Sequence, residues 1–545
     1  MIPHLNGGRH RFSGEKCRSK ISKCSSAVFM GFNQRFPKAC KRSPRLSVSA
    51  GSISTGFSFK IATRIGWATE GPCLKNTHRM INQFELKANK KAFEINMAKP
   101  IYGTFAEIGA GQEVARRFFH VGGAAGTVAK TISAYDMTFS DAIYGKSTRF
   151  VSRQRLGEML DHEYDLLIER LDEKVGSERT FFAFADTVAA RAYKTKNESH
   201  GWMGIRFQSS PRSQPNEIIL HVRMLDEENL EQQEALGIVG VNLIHGAYFK
   251  RKDLKAFIGS LVDDLGPSRI EVDMIRFSGP DFAMVDNRIM CLELVTQGLA
   301  QAVLFRGDGE VIQAADLFYR KPLLVERGSF RPVTNVAYDM LTCAQTMFLT
   351  EEDLAGEQPE ILHEITMKHL MRSGQLDLQD FLDRVDMLGA LGRTVLISNY
   401  GEYYRLIQYL RRYTDRSIGL PLGVPTLHEI FEEKYYGNLD GGVLEGLGRL
   451  FKKGVRLYVY PTQDEKGHIL EASSYRVEPG LQALYAYLLE NRFIVPMAGC
   501  KLDYLGIKSV DVIAKIQQGD ASWEEMVPPR VAEIIKSRKF FGWKG

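Results

Sequence analysis

Apolar positions recur along this chain in two rhythms. Between residues 153 and 174, Leu156, Leu160, Tyr164, Leu167 and Leu171 are spaced by three and four, which predicts an amphipathic helix. Elsewhere the apolar residues come in short unbroken runs. Those at 180–185, 205–207, 218–224, 238–244 (IVGVNLI), 269–277, 301–305, 321–326, 394–398 and 455–460 have the length of strands. From about residue 236 the runs alternate with helical stretches at 253–265, 282–299, 336–349, 360–372, 378–391 and 401–414. Strands apolar on both faces and spaced by helices predict a mainly parallel, doubly wound sheet. The expected fold class is therefore α/β, with an additional N-terminal α+β region.

The same rhythm suggests boundaries. Residues 97–235 carry the N-terminal α+β region, 236–460 the doubly wound domain, and 461–545 a C-terminal helical extension packed on the body. That extension holds a clear helix at 481–491 and ends in Phe540-Phe541-Gly542-Trp543, an aromatic tail expected to dock on its own protein. Residues 1–96 lack sustained periodicity and hold 18 Lys/Arg against 4 Asp/Glu. Such a segment buries too little apolar surface to offset its ordering entropy. It reads either as a targeting-like leader or as sequence ahead of a true start at Met97.

Charge and cysteines narrow the classes further. The net +6 conceals a leader of +14 and a body of −8, which argues against nucleic-acid binding by the body. Cys17, Cys24, Cys40 and Cys73 lie in the leader; Cys291, Cys343 and Cys500 lack the spacing of a disulfide framework or a zinc site. The body reads as cytosolic, and no apolar run reaches the roughly 18 residues that span a bilayer. The oligomeric state stays open.

The most motif-like stretch is 101–130, IYGTFAEIGAGQEVARRFFHVGGAAGTVAK. Ile101 and Tyr102 are expected to end a strand, Gly103-Thr104-Phe105 and Gly109-Ala110-Gly111 to turn, and 112–119 to be helical. Strand, glycine turn and helix start aim backbone N–H groups at an anion, usually phosphate. A second loop at Gly122, Gly123 and Gly126 is expected to open another helix. A dinucleotide fingerprint would need glycine where Val114 stands, and a P-loop ending at Gly145-Lys146-Ser147 would need glycine at Ser140. The alternative for the whole stretch is a glycine turn that closes a strand–helix junction.

Residues 103–112 (GTFAEIGAGQ) resemble the G-[ST]-F-x-x-x-H-x-G-H pattern of the nucleotidylyltransferases that make NAD precursors. The first glycine, the hydroxyl, Phe105 and Gly111 match in register; the two histidines are replaced by Gly109 and Gln112. That family's ISSTxxR signature is echoed by Ile397-Ser398-Asn399, with Tyr403 at the Arg position. The full chain also resembles a bacterial family carrying a nicotinate-nucleotide adenylyltransferase label. The resemblance implies adenylyl transfer from ATP to nicotinate mononucleotide with Mg²⁺ bridging the triphosphate. Thr104, Gly109, Gly111, Gln112, Gly122, Gly123 and Gly126 would then cradle the nucleotide, and His120 or Lys130 would supply the charge that the missing histidines carry in the family.

A second candidate site follows from the fold class, because open α/β sheets bind ligands beyond the C-terminal ends of their strands. The loops after the 238–244, 269–277 and 394–398 runs would bring together His245, Arg276, Asp281, Asn399 and Glu402. The competing reading is that these are ordinary turn residues. Trp202, in the polar stretch 197–202, is either a base-stacking residue or a core residue. His363-Glu364 with His369 fails the zinc-helix spacing, because Met367 stands where the second histidine is needed. Asp377, Asp380, Asp383 and Asp386 recur every three residues and read as a solvated helix face, so no metal ligands are assigned. The sequence thus points to a protein that binds a nucleotide or another phosphorylated small molecule. Its alternatives are a noncatalytic scaffold or ligand sensor, and an enzyme of other chemistry built on the strand-end loops.

Overall fold

A helix, α1 (Lys87–Met97), stands inside the stretch expected to be unstructured leader. Ala88, Ala92 and Ile95 on it are fully buried, and Lys91 bonds Asn242 Oδ1 at 2.7 Å, the Ser260 carbonyl at 3.1 Å and Asp263 at 2.8 Å. Three apolar positions on one face were too few to stand out from a basic, serine-rich context. The computed structural model describes residues 87–190, 198–372, 374–464 and 466–544. Expectations for residues 1–86, and for Asn197 in the polar stretch, lie outside them.

The first half is a six-stranded sheet, with β1 (Ile101–Gly109), β2 (Val128–Ala134), β3 (Thr180–Ala189), β4 (His200–Phe207), β5 (Asn216–Met224) and β6 (Ile270–Ser278) in the order β2-β1-β3-β4-β5-β6. The β2-β1-β3 part is parallel and the rest antiparallel. Between the strands run α2 (Val114–Val121), α3 (Met137–Tyr144), α4 (Arg153–Val175), α5 (Asn229–Phe249) and α6 (Leu254–Ser260). Gly204 on β4 lets Leu156 and Leu160 of α4 approach one face, while Gly240 of α5 sits against Val114 and Phe184 on the other.

Two readings change here. The 238–244 run is not a strand but the middle of α5, where every residue from Ala235 to Ala247 is buried. A helix surrounded by protein is apolar all round, so a short window of it has no period to separate it from a buried strand. The loop expected at 135–148 contains α3, capped by Asp136, which accepts from the Phe139 N–H.

The second half is an eight-stranded sheet. Its elements follow α7 (Asn287–Thr296): β7 (Ala302–Phe305), β8 (Val311–Ile312), α8 (Ala314–Phe318), β9 (Leu323–Arg327), α9 (Asn335–Phe348), β10 (Glu360–Thr366), α10 (Met367–Leu370), α11 (Leu378–Ala390), β11 (Thr394–Ser398) and α12 (Tyr403–Leu410). Then come β12 (Ile418–Gly423), α13 (Val424–Ile430), α14 (Gly442–Leu450), β13 (Val455–Tyr460), the hairpin β14 (Thr462–Gln463) and β15 (Ile469–Leu470), α15 (Gln482–Glu490) and β16 (Ile494–Pro496). The strand order is β16-β13-β12-β9-β10-β11-β7-β8. All pairs from β16 to β11 are parallel, and β7 and β8 add an antiparallel edge. This is the doubly wound α/β architecture the sequence predicts.

The chain winds from β9 outward through β10 to β11, then crosses back over β9 to β12 and continues to β13 and β16. The strand order therefore reverses between β9 and β12. The 360–372 helix of the sequence reading is β10 followed by a single turn, α10. The sequence reading omits β12, because IGLPLG carries two glycines and Pro421 and resembles a loop. Pairing of β12 with β13 runs from Ile418 to Gly423, but with β9 only over Ile418–Leu323 and Gly419–Leu324. Beyond those pairs β9 and β12 share no ladder, and a crevice opens between their ends.

The C-terminal residues form α16 (Ser509–Gln518) and α17 (Pro529–Arg538). Phe540 and Phe541 are buried, the rings of Trp523 and Trp543 lie 5.6 Å apart, and the Phe541 N–H donates to Asp383 at 2.7 Å. The aromatic tail docks on its own protein. The same bond corrects the solvated-face reading of α11: Asp380 and Asp383 are buried, Asp380 pairs with Arg331 and Arg384, and Asp386 pairs with Arg288. Among the described residues no helix is long and apolar enough to cross a membrane.

Candidate functional site

In the glycine-rich stretch, polar side chains and the helix start are taken up by the chain's own residues. Gly103-Thr104-Phe105, expected to turn, lies inside β1 with neighbours on both sides. Thr104 donates to the fully buried carboxylate of Glu163 at 3.3 Å. Lys130, on β2 and not in a helix, meets the same carboxylate at 2.5 Å, and the Tyr144 hydroxyl donates to it at 2.9 Å. The two residues expected to face a ligand thus share one internal anion.

The start of α2 is also taken. Glu107 accepts from the Val114 N–H at 2.7 Å and the Ala115 N–H at 3.2 Å, so the chain's own carboxylate fills the place of a phosphate. In register with it on β3, Asp186 is fully buried, and among the described residues neither oxygen has a partner within hydrogen-bonding geometry. Burial raises the pKa of both acids, and the Glu107 charge raises that of Asp186 further. The pair therefore holds a proton, on Asp186, because Glu107 has the N–H donors. An incoming anion would meet two acids here.

The glycines serve this packing. Gly109 has a left-handed φ of 78°, and a Cβ at Gly111 would overlap the Asp186 carboxylate. Gln112 reaches back to the Gly109 carbonyl at 3.1 Å, and His120 sits in the last turn of α2. Gly122 and Gly123, with φ of 83° and 79°, lead into a single turn at Ala124–Gly126 and then into β2, not into the expected second helix.

The second set of predicted residues does not converge as a whole. His245 is on α5, not in a strand-end loop; it bonds Glu94 at 2.9 Å and stacks on Phe249. Arg276 lies on β6 beside Arg206 and Glu217 in an open depression, and Asp281 pairs with Arg251 at 3.2 Å. Asn399 is exposed, with its N–H on the Gln301 carbonyl. Trp202 is a core residue on β4, 4.9 Å from the His221 ring. Only Glu402 of that set lines the cavity at the strand-order reversal.

That cavity, of about 330 Å³, lies beyond the C-terminal ends of the parallel strands. β9 contributes Arg327, β10 contributes Thr366, and α10 contributes Lys368 and His369. The β11–α12 loop brings Gly401 and Glu402, and α12 brings Tyr403; α13 brings Thr426, Glu429 and Ile430; Tyr435 and Tyr436 complete the lining. Arg327 is held by two bonds to Glu364, at 2.8 and 2.9 Å, and a third to the Gly401 carbonyl at 2.7 Å. Its guanidinium lies 4.2 Å from the Tyr403 ring centre. Three of its five N–H groups are thereby used. Ser398 donates to Glu364 at 2.6 Å and completes the support.

The lining carries both signs of charge, with Arg327 and Lys368 beside Glu402 and Glu429. Burial, together with the charges of Arg327, Arg384, Lys368 and Arg372, lowers the pKa of His369 to about 4, so its ring is neutral near pH 7. Its buried Nδ1 has no hydrogen-bond partner, and Lys368 forms no ion pair among the described residues. Glu402 is engaged by Arg405 at 3.1 Å. Arg327, Lys368, His369 and Tyr435 are not among the expected site residues, because the 360–372 stretch has the look of a helix and no local pattern pairs β9 with β12. A charged residue ending an apolar strand directly before Gly328 was the available signal.

Fold and site together define an α/β protein with a polar, aromatic-walled cleft at the switch point of a doubly wound sheet. No protein-family model and no curated protein matches the chain. Solved structures show a partial likeness to the competence/damage-inducible proteins. The chain is 17% identical to CihA from Agrobacterium tumefaciens, over 29% of this chain and 93% of that one, with a TM-score of 0.23. The protein from Enterobacter asburiae is 13% identical over 30% and 96%, with a TM-score of 0.22. A CinA superfamily protein from Klebsiella pneumoniae is 14% identical over 30% and 92%, also with a TM-score of 0.22. At these scores the likeness carries nothing about ligand or activity.

Proposed function

We propose that this chain is a ligand-binding α/β protein whose ligand is a phosphorylated small molecule carrying a planar ring, of mononucleotide size. The observation that carries the reading is the cavity at the β9/β12 reversal, where Arg327 and Lys368 stand in one lining with tyrosines and with Glu402 and Glu429. Crevices at such points are where open α/β sheets bind ligands, and about 330 Å³ falls at the lower end of small-molecule pockets. Lys368 and the remaining Arg327 N–H groups take the phosphate, and His369 and Thr366 add neutral hydrogen bonds. Tyr435 offers a ring face to the planar part. Glu429 accepts from ligand hydroxyl or amino groups. The Glu107–Asp186 pair, in contrast, weighs against the glycine-rich stretch as the phosphate site.

Calorimetric titration of the full chain with AMP and with adenosine tests the reading. AMP should bind about tenfold or more tightly than adenosine, and Lys368→Ala should remove most of that difference. Equal affinities for the two compounds would contradict it.

A further inference from the structure

Adjacent positions on β9 and β10 carry a second acid–base pair on the opposite face of the sheet. Glu326 and His363 are register partners, as are Arg327 and Glu364 one residue on, and successive strand residues point to opposite sides. Glu326 and His363 are 1% and 3% exposed. The distance from Glu326 Oε2 to His363 Nε2 is 3.5 Å, too long for a strong hydrogen bond. Glu326 Oε1 and His363 Nδ1 have no hydrogen-bond partner among the described residues. Buried polar atoms left in this state cost stability unless something else completes them.

Both residues line a cavity of about 510 Å³ between the sheet, α9, the end of α11 and the start of α17. Its walls are mostly apolar, including Val333, Leu341, Leu391 and Pro528. Two cations stand on its more exposed side. Arg393 forms no ion pair among the described residues, whereas Arg530 pairs with Glu533 at 2.9 Å. Burial pushes Glu326 up to about 8 and His363 down to about 3, so at neutral pH the inner end presents a carboxylic acid and a neutral imidazole.

We infer that this cavity is a second binding site, for a small apolar or aromatic carboxylate with a hydroxyl or carbonyl at its far end. The apolar body fills the space between Leu341, Leu391 and Pro528. The carboxylate meets Arg393, and the far polar group completes Glu326 and His363. Neutral partners at the inner end suit a neutral group, because a second charge there would be desolvated without a counter-ion. The site is chemically distinct from the switch-point cleft, whose lining is mostly polar and charged and whose support is the Arg327–Glu364 pair.

Titration of the full chain with para-hydroxycinnamate, followed by calorimetry at neutral pH, tests the assignment. Saturable binding is expected, weakened about tenfold or more by Arg393→Ala and by Leu341→Trp, which fills the space. Glu326→Gln, which still donates and accepts, should retain affinity to within about threefold, and Glu326→Leu should not. Lys368→Ala in the other cleft should leave it unchanged. Absence of saturable binding to the folded protein up to about 10 mM would overturn the assignment and leave a water-filled void. Binding indifferent to both Arg393→Ala and Leu341→Trp would overturn it equally.

Discussion

Arg327 and Glu364 are register partners at the ends of β9 and β10, joined by two bonds of 2.8 and 2.9 Å. Glu364 is fully buried, so the pair holds the guanidinium rigid against the cleft while its last N–H groups stay uncommitted. The cost of desolvating both charges is offset by Ser398 and the Gly401 carbonyl, which satisfy further lone pairs and protons. The ion pair is therefore a positioning device more than a source of stability.

Removing one partner should be worse than removing both. Arg327→Met strands a buried carboxylate and should cost about 3 kcal/mol in urea unfolding, whereas Arg327→Met with Glu364→Gln should recover most of it. Equal losses in the single and double variants would contradict a buried, mutually dependent pair.

The acid pair at the head of the first sheet gives a pH prediction. Glu107 and Asp186 have folded pKa values raised above the unfolded 4.5 and 3.8. Between the unfolded and folded values the native state binds more protons, so the stability these groups contribute is complete at low pH and is lost as pH rises toward neutrality. Asp186→Asn should raise the thermal midpoint relative to wild type by an amount that grows from pH 4 to pH 8. A pH-independent difference would show that Asp186 is ionised in the fold.

Much of the architecture was legible because long periodic or unbroken apolar segments fix element type. α4, β5, β11 and β13 lie within two residues of their expected bounds. Misreadings fell where tertiary packing erased the period, as in α5, or where composition disguised a strand, as with Pro421 in β12. The site was less legible for a related reason. Glu402 was found by the rule that strand ends hold ligands, but Arg327, Lys368 and Tyr435 meet only through the order β12-β9-β10, which no local pattern records. In the glycine stretch Glu107, an internal anion, satisfies the helix start that the composition advertises to a phosphate.

α1 should matter for stability even though it falls in a stretch that looks unstructured. Ile95 is fully buried, and Ile95→Ala should cost about 2–5 kcal/mol in denaturant unfolding. A cost below about 0.5 kcal/mol, the range of exposed positions, would mean that the helix is not part of the cooperative fold.

Nucleotide binding should be insensitive to the glycine stretch. Gln112→Ala and His120→Ala should leave the AMP affinity within about twofold of wild type, since both side chains lie outside the cleft. A tenfold loss in either would return the phosphate to the start of α2.

A crystal structure of the full chain with AMP bound would locate the phosphate. Phosphate density is expected within hydrogen-bond reach of Lys368 Nζ and the Arg327 guanidinium, with the base against Tyr435. Phosphate density at Gly109–Gln112, against the Glu107 carboxylate, would contradict it.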